Sequence, residues 1–313
     1  MHAVGVDIGG TKIAAGVVDE DGELLESTIR PTSAQEPELI EEAVADAVAE
    51  LRQRYVIGAV GVAAAGFVDP GRCIVRFAPN IAWREHPLGE ILAQRLGLPV
   101  VVENDANAAG WAEFRFGAAQ EVADMAMLTV GTGLGGAIVV DGQLLRGAAG
   151  AGGEVGHMRV VPNGRACGCG HDGCWETYAS GTALVRETKA ALTIEPERAE
   201  RLLAIAGKAK KVTGPHVTQA AQEGDPLSIQ MLADLGRWLG AGMAALSAVL
   251  DPAVYVIGGG VGAAGDLLLG PAREELDAQL FARGHRELPE IRLATLGNDA
   301  GIVGAADLAR LPR

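Results

Sequence analysis

The chain has 313 residues, 49% of them apolar and 4% aromatic, so its core must be built mainly from Ala, Val, Leu and Ile. That length allows two lobes and a sizeable core. Acidic residues outnumber basic ones by 40 to 26, a net charge of −14, which argues against a nucleic-acid partner and an anionic membrane surface. No apolar run reaches the ~18 residues needed to span a bilayer. The N-terminal residues read as a strand rather than an export signal. A cytoplasmic protein is therefore expected, and its four cysteines are not expected to form a disulfide framework.

Near the N-terminus Val4, Val6 and Ile8 alternate with small or polar residues, which predicts a strand. It runs into Asp7-Ile8-Gly9-Gly10-Thr11-Lys12. Phosphate-binding glycine loops usually lead from a strand into a helix. Here an apolar stretch and Asp21-Gly22 follow instead, the signature of a hairpin. Residues 36–54 have helical spacing, with Leu39, Ala43, Ala47 and Leu51 predicted on one face. A buried strand over 56–64 leads to Gly66, and Asn80 precedes an apolar pair; both read as loop positions, for which simple turn chemistry is an equal explanation. A helix over 88–96, a short strand over 99–103 and a helix over 106–116 follow.

Residues 125–147 repeat the order of the N-terminus: strand, Gly131-Thr132-Gly133-Leu134-Gly135-Gly136, strand, Asp141-Gly142, strand. One such hairpin could be incidental. Two with the same order predict two lobes of related topology. Backbone N–H groups in turns of this kind form anion-binding concavities, so two of them could clamp a polyphosphate in a shared cleft. Further helices are expected over 178–192, 197–207, 226–250, 267–281 and 300–310, and a strand over 291–296. Lys208-Ala209-Lys210-Lys211, the only basic cluster, reads as a solvated helix end. A third glycine run, Gly258-Gly259-Gly260, follows a strand over 254–257 and suits close approach by a flat ligand. The expected division is a small lobe over 1–118 and a large lobe over 119–298, with a closing stretch over 299–313 packed back on the first.

The strand over 99–103 ends in Glu103-Asn104-Asp105. Ligands of α/β sheets bind at the carboxyl ends of strands. Asp105 reads equally as a helix N-cap or as a general base for a hydroxyl attacking a phosphoryl group. Asn104 offers both a donor and an acceptor to a hydroxyl-rich substrate. Farther on, Glu154 and His157 stand in a glycine-rich segment, and Cys167, Cys169 and Cys174 crowd into eight residues. Three cysteines and one histidine complete a tetrahedral zinc site. His157 and His171 are the candidates. His171 lies inside the tight cysteine loop, whereas His157 can fold back. A structural zinc would orient His157 and hold Glu176, two residues beyond Cys174.

These motifs resemble the ROK family of repressors and sugar kinases across essentially the whole chain, and are most similar to its ATP-dependent, glucose-phosphorylating members. The resemblance rests on residues 7–12, 103–107, 131–136, 153–157 and 167–176. It implies an α/β fold of the actin-like ATPase (ribonuclease H-like) type, two duplicated lobes around a central cleft. It implies phosphorylation of a hexose 6-hydroxyl by MgATP, with Asp105 as base. Gly66, Asn80, Asn104, Asp105, Glu154, His157 and Glu176 would hold the sugar. Gly9, Gly10, Thr11, Lys12, Thr132 and Gly133 would hold phosphates, Asp7 would help place Mg²⁺, and Gly258, Gly259 and Gly260 would lie on the nucleotide side. His157, Cys167, Cys169 and Cys174 would bind structural Zn²⁺. Glucose is the expected acceptor, with fructose, N-acetylmannosamine, N-acetylglucosamine, or polyphosphate as donor, the alternatives. A sugar-sensing repressor is disfavoured because no DNA-binding domain precedes the first strand. A homodimer or homotetramer is implied.

Overall fold

The computed structural model describes residues 1–311; residues 312 and 313, the end of the expected closing stretch, lie outside the described residues. Two compact units are formed. One consists of Met1–Ala123, Ala137–Gly153 and the stretch from Ala294; the other consists of Asp124–Gly136 and Glu154–Leu293.

The order of elements begins β1 (His2–Ile8), β2 (Lys12–Val18), β3 (Leu24–Pro31), α1 (Pro37–Arg52), β4 (Ile57–Ala64), β5 (Phe67–Val68), β6 (Val75–Phe77), β7 (Arg84–His86), α2 (Leu88–Leu96), β8 (Val100–Asn104) and α3 (Asp105–Phe116). It continues with β9 (Met125–Val130), β10 (Leu134–Val140), β11 (Gln143–Leu144), α4 (Gly181–Ala191), α5 (Glu200–Ala206), α6 (Gly214–Gln222) and α7 (Pro226–Leu250). It closes with β12 (Val254–Gly258), α8 (Asp266–Gln279), β13 (Glu290–Leu293) and α9 (Ala300–Arg310).

One sheet has the order β3-β2-β1-β4-β8 and another the order β11-β10-β9-β12-β13. The two orders are the same pattern, so the repeated hairpin of the sequence is a repeat of topology. In the first sheet β1 pairs with β2 antiparallel and with β4 parallel, and β4 pairs with β8 parallel. In the second, β12 runs parallel to both β9 and β13. Central strands of a sheet buried on both faces carry near-continuous apolar runs, as Val254-Tyr255-Val256-Ile257 does, with every residue buried.

Local sequence accounts for most of the elements. Pro37 starts α1, Glu38 lies in its first turn and Arg52 in its last, matching the polarity of the helix ends. Its buried face is Ile40, Val44, Ala47, Val48 and Leu51, while Leu39 is exposed. The face expected from the sequence is thus rotated by about one residue, because the broader apolar stripe wins the core. Ser180 caps α4 through its side chain, so that helix starts later than the apolar pattern suggested. The glycine run after β12 enters a 3₁₀ turn at Gly260–Ala264 before α8. The basic cluster likewise falls on a 3₁₀ turn, at Ala209–Lys211. The small sheet β5-β6-β7 is not legible in the sequence, because its strands are two or three residues each, too short for a periodic signal; α6 adds a helix not expected from the apolar pattern.

α9 lies on β1 and β4 with main chain against main chain. A Cβ at Gly5 would stand 1.8 Å from the carbonyl oxygen of Ile302, and one at Gly61 1.8 Å from that of Ala305. Gly304 meets α3 as closely, with the carbonyl oxygen of Ala108 at 1.8 Å. Buried Trp111 adds an indole N–H bond of 2.8 Å to Asp307. The close approach holds α3, and so the strand end before it, against α9. Gly304→Ala should therefore lower unfolding stability by about 1–3 kcal/mol or more through overpacking, read as a fall in the urea midpoint. An unchanged midpoint would show that the helices separate without cost.

Candidate functional site

The first unit gathers its polar side chains at the carboxyl ends of β1, β4 and β8. Asn104 ends β8 in extended geometry, and its Oδ1 accepts the backbone N–H of Asn107 at 3.0 Å. Asn104, not Asp105, is therefore the N-cap of α3. Its Nδ2 donates to the carbonyl of Gly66 at 3.0 Å. Gly66 has no room for a side chain, since a Cβ would stand 2.4 Å from the carbonyl oxygen of Phe77. Asp105 opens the helix, and one of its oxygens accepts the N–H of Ala106. Burial raises its pKa above the ordinary carboxylate range.

Asp7, near the end of β1, is pushed up to about 6, first by burial and then by the negative charge of Asp105, with Lys12 opposing. Its carboxylate lies against the first turn of α9, where a Cβ on Gly301 would stand 3.1 Å from Oδ2. In the adjoining turn the N–H of Gly9 donates to the carbonyl of Lys12 at 3.0 Å, and the Gly9 carbonyl accepts the Thr32 hydroxyl at 2.8 Å. Gly10, Thr11 and Lys12 are exposed. Asn80 is a neighbour of Gly10, its Cβ 3.7 Å from where a Cβ on that glycine would stand.

The second unit contains a cavity of about 810 Å³. Thr132 and Gly131 of the glycine turn line it, with Gly181, Thr182, Val185, Arg186 and Lys189 of α4. Val212 and Thr213 before α6, Gly214, Pro215 and Thr218 on it, and Gly260 and Val261 complete it. The turn is fastened to α4: the N–H of Gly181 donates to the Gly131 carbonyl at 2.8 Å, and the Thr182 hydroxyl to the Thr132 carbonyl at 2.6 Å. Of the expected residues, Thr132 and Gly260 line this space. Gly133, Gly258 and Gly259 are not among its lining residues. Gly259 has a φ of +84° and packs on Val130, so it shapes the turn that presents Gly260. The α4 and α6 contributions were missed, although Thr213-Gly214-Pro215 is a recognisable helix start.

Among the described residues of the second unit, His157, Cys167, Cys169 and Cys174 form a group able to hold a metal ion, their donor atoms all within 4.8 Å of one another. Cys167 Sγ is 3.7 Å from His157 Nδ1, and Cys169 Sγ is 3.6 Å from Cys174 Sγ. A tetrahedron of zinc–sulfur bonds has edges of about 3.8 Å, so the spacing and the donor chemistry fit zinc. Burial pushes the thiols of Cys167 and Cys174 up, whereas a bond from the backbone N–H of His171 lowers that of Cys169. Metal binding requires the thiolate form of all three. His171 contributes backbone to the cysteine loop, its carbonyl accepting the Cys167 N–H at 2.8 Å, but is not one of the cluster's donors. Glu176 Oε1 lies 2.9 Å from Cys167 Sγ and 3.7 Å from His157 Nδ1. Between Cys174 and Glu176, buried Trp175 anchors the loop by donating its indole N–H to the Trp238 carbonyl at 2.8 Å. Glu154 precedes the turn Val155–His157 and accepts the His157 N–H through its carbonyl at 3.1 Å.

Two outcomes follow from this geometry. Elemental analysis of protein purified without chelator should give about one zinc per chain, and Cys169→Ser should lose it; a fully folded, metal-free protein would refute the site. The raised Asp7 pKa also has a sign for stability. The folded state binds that proton more tightly than the unfolded chain, so stability falls as pH rises from 3.8 through about 6. Without divalent cations, Asp7→Asn should therefore stabilise the protein at pH 7.5 by on the order of 1–3 kcal/mol, with the gain vanishing below pH 4. Equal midpoints for the two proteins at both pH values would contradict a costly charge at this half-buried position.

The geometry agrees with what the chain is similar to. It is 49% identical to a glucokinase of Streptomyces coelicolor, covering 99% of this chain and 98% of that one. Among solved structures it is similar to a ROK family glucokinase from Streptomyces griseus in complex with glucose and AMPPNP, with a TM-score of 0.88, 48% identity and 99% of each chain covered. It is also similar to a ROK hexokinase from Thermus thermophilus, with a TM-score of 0.81, 38% identity, and 99% of this chain and 98% of that one covered. The repeated sheet order is that of the actin-like ATPase fold. The ROK family model matches residues 3–311, and on that match and these relatives the chain belongs to the ROK family.

Proposed function

We infer that the chain is a sugar kinase that transfers the γ-phosphoryl group of ATP to the 6-hydroxyl of glucose. The observation that carries the reading is a half-buried carboxylate just past the end of β8, its proton affinity raised by desolvation, that does not cap the helix it opens. Asn104 takes the cap, which leaves Asp105 for proton transfer. The Streptomyces relatives, at 48–49% identity over nearly their full lengths, support glucose and ATP as the substrates.

A sugar hydroxyl is a poor nucleophile at neutral pH. Asp105 would accept its proton as the oxygen–phosphorus bond forms, and burial brings the proton affinity of this carboxylate closer to the operating pH. In the first unit Gly66, Asn80 and Asn104 are proposed sugar contacts. Gly66 also acts through its carbonyl, which orients the Asn104 amide. In the second unit Glu154, His157 and Glu176 are proposed sugar contacts, with the Cys/His cluster holding a structural zinc. Phosphate contacts are assigned to Thr132 and Gly133 and to the Gly9–Lys12 turn. Within that turn Gly10, Thr11 and Lys12 supply the contacts, since the Gly9 N–H is already used. The cavity bordered by Gly260 would take the nucleoside, with Gly258 and Gly259 shaping its edge. Asp7 would help hold Mg²⁺, which, when bound, neutralises charge on the transferred phosphate.

We propose a cytoplasmic homodimer or homotetramer with no nucleic-acid or membrane partner. Among the described residues no helix is long and apolar enough to cross a membrane.

Asp105→Asn should lower kcat by roughly 10²–10⁴-fold with the glucose Kd altered only modestly, because the amide keeps the shape. Near-normal turnover in the folded variant would remove Asp105 as the base. Across a hexose panel in a coupled ADP-release assay, glucose should give the highest kcat/KM, and ATP should outperform polyphosphate as donor. A much higher value for N-acetylmannosamine or fructose would reassign the acceptor.

A further inference from the structure

The Glu103-Asn104-Asp105-Ala106-Asn107 motif contains two polar residues to which the proposed chemistry gives no role, Glu103 and Asn107. Both are 3% exposed. A buried carboxylate is costly unless it is paired and hydrogen-bonded. Glu103 is both. Its Oε2 accepts from Arg146 Nε at 2.7 Å and lies 3.8 Å from Arg72 Nε. Its Oε1 accepts the backbone N–H of Asn104 and the side-chain Nδ2 of Asn107, each at 3.1 Å.

The two donors to Oε1 bracket Asp105 in the chain, one residue before it and two after. The same carboxylate therefore fixes the last peptide of β8 and the first turn of α3. The cap bond from Asn107 N–H to Asn104 Oδ1 closes the bracket. On the other side, Arg146 begins a loop that its own carbonyl closes by accepting the Gly152 N–H at 2.8 Å. Within that loop Gly150 packs on β5, where a Cβ would stand 1.9 Å from the Val68 carbonyl oxygen. Arg146 itself contacts neither Asp105 nor Asn104 in any hydrogen bond or ion pair.

We propose that the Glu103–Arg146 ion pair positions the catalytic aspartate, with Arg146 as a positioning residue that acts through Glu103. Arg146 holds Glu103 in the rotamer that brackets Asp105. Without Arg146 the buried carboxylate keeps only the more distant Arg72, at 3.8 Å, loses the hydrogen bond of 2.7 Å that fixes Oε2, and turns toward other donors, so that the peptide ahead of Asp105 loses its acceptor. Small displacements of a catalytic group can cost about 10²-fold in rate, so the effect should fall on kcat.

The inference rests on the assignment of Asp105 as base, and the test separates the two. kcat and glucose KM are measured for Arg146→Ala, Arg146→Lys, Glu103→Gln, the Glu103→Gln/Arg146→Ala pair, Asp105→Asn, and Arg146→Ala in the Asp105→Asn background. Thermal midpoints identify the folded variants. Arg146→Ala should lower kcat by roughly 10–100-fold with KM changed less than about 3-fold, and Arg146→Lys should recover most of it. The double variant should be no worse than the worse single one, the coupling expected of contacting residues. Arg146→Ala should add little to Asp105→Asn. Should Arg146→Ala not fold, the same comparison is made with Arg146→Gln, whose kcat should fall below that of Arg146→Lys. Near-normal kcat in these variants, an effect confined to KM, or losses that add would overturn the inference. If Asp105→Asn is itself near normal, the base assignment falls and the positioning claim falls with it; if Asp105→Asn is crippled while Arg146→Ala is not, only the positioning claim fails.

Discussion

A helix that begins at the end of a buried strand needs an acceptor for its first N–H groups, and the proposed chemistry depends on which side chain supplies it. Here Asn104 does. Had Asp105 taken that bond, its negative charge would be spent on the helix and its proton affinity lowered. With the cap filled by a neutral amide, Asp105 is half-buried and keeps a raised proton affinity. The Asn104 amide is held in turn by the Gly66 carbonyl. A loop glycine and the cap thus form one chain of contacts beside the candidate base, and the close packing of α3 on α9 at Gly304 backs it.

The cost of the arrangement is electrostatic. Asp7 and Asp105 are like charges with restricted access to water, and Lys12 compensates only part of their repulsion. Such a pair is unfavourable on its own and would be relieved by a bound divalent cation. Stability given up in this way at a candidate active site is common where function needs a charge that folding does not. The His/Cys group of the second unit follows the same logic: burial raises the proton affinity of the Cys167 and Cys174 thiols, and a cation would supply the opposing charge their thiolates need.

Much of this was legible in the sequence, for identifiable reasons. The two hairpins announced themselves because an apolar strand, a glycine turn and an Asp-Gly turn recur in one order, and the structure gives both the same strand order. α2 and α7 follow from apolar periodicity with clear stops. His157 could be preferred over His171 from the reach of the loop alone, and it is His157 that joins the cysteines. The choice between Asn104 and Asp105 as cap could not be made, because the two residue types cap helices about equally well. The Glu103–Arg146 pair was invisible for a different reason: the partners stand 43 residues apart, and only the folded β8 and the loop after β11 bring them together. The same holds for the cavity lined by α4 and α6, whose residues carry no motif until a shared concavity gives them one.

The account stands most directly on what happens to the phosphoryl group. Phosphorus NMR of a reaction containing the purified protein, ATP, magnesium and glucose identifies the acceptor atom. The account predicts glucose 6-phosphate and ADP in equal amounts, with the phosphorus coupled to the protons on carbon 6. Accumulation of inorganic phosphate without sugar phosphate, or phosphate on any other hydroxyl, would contradict it.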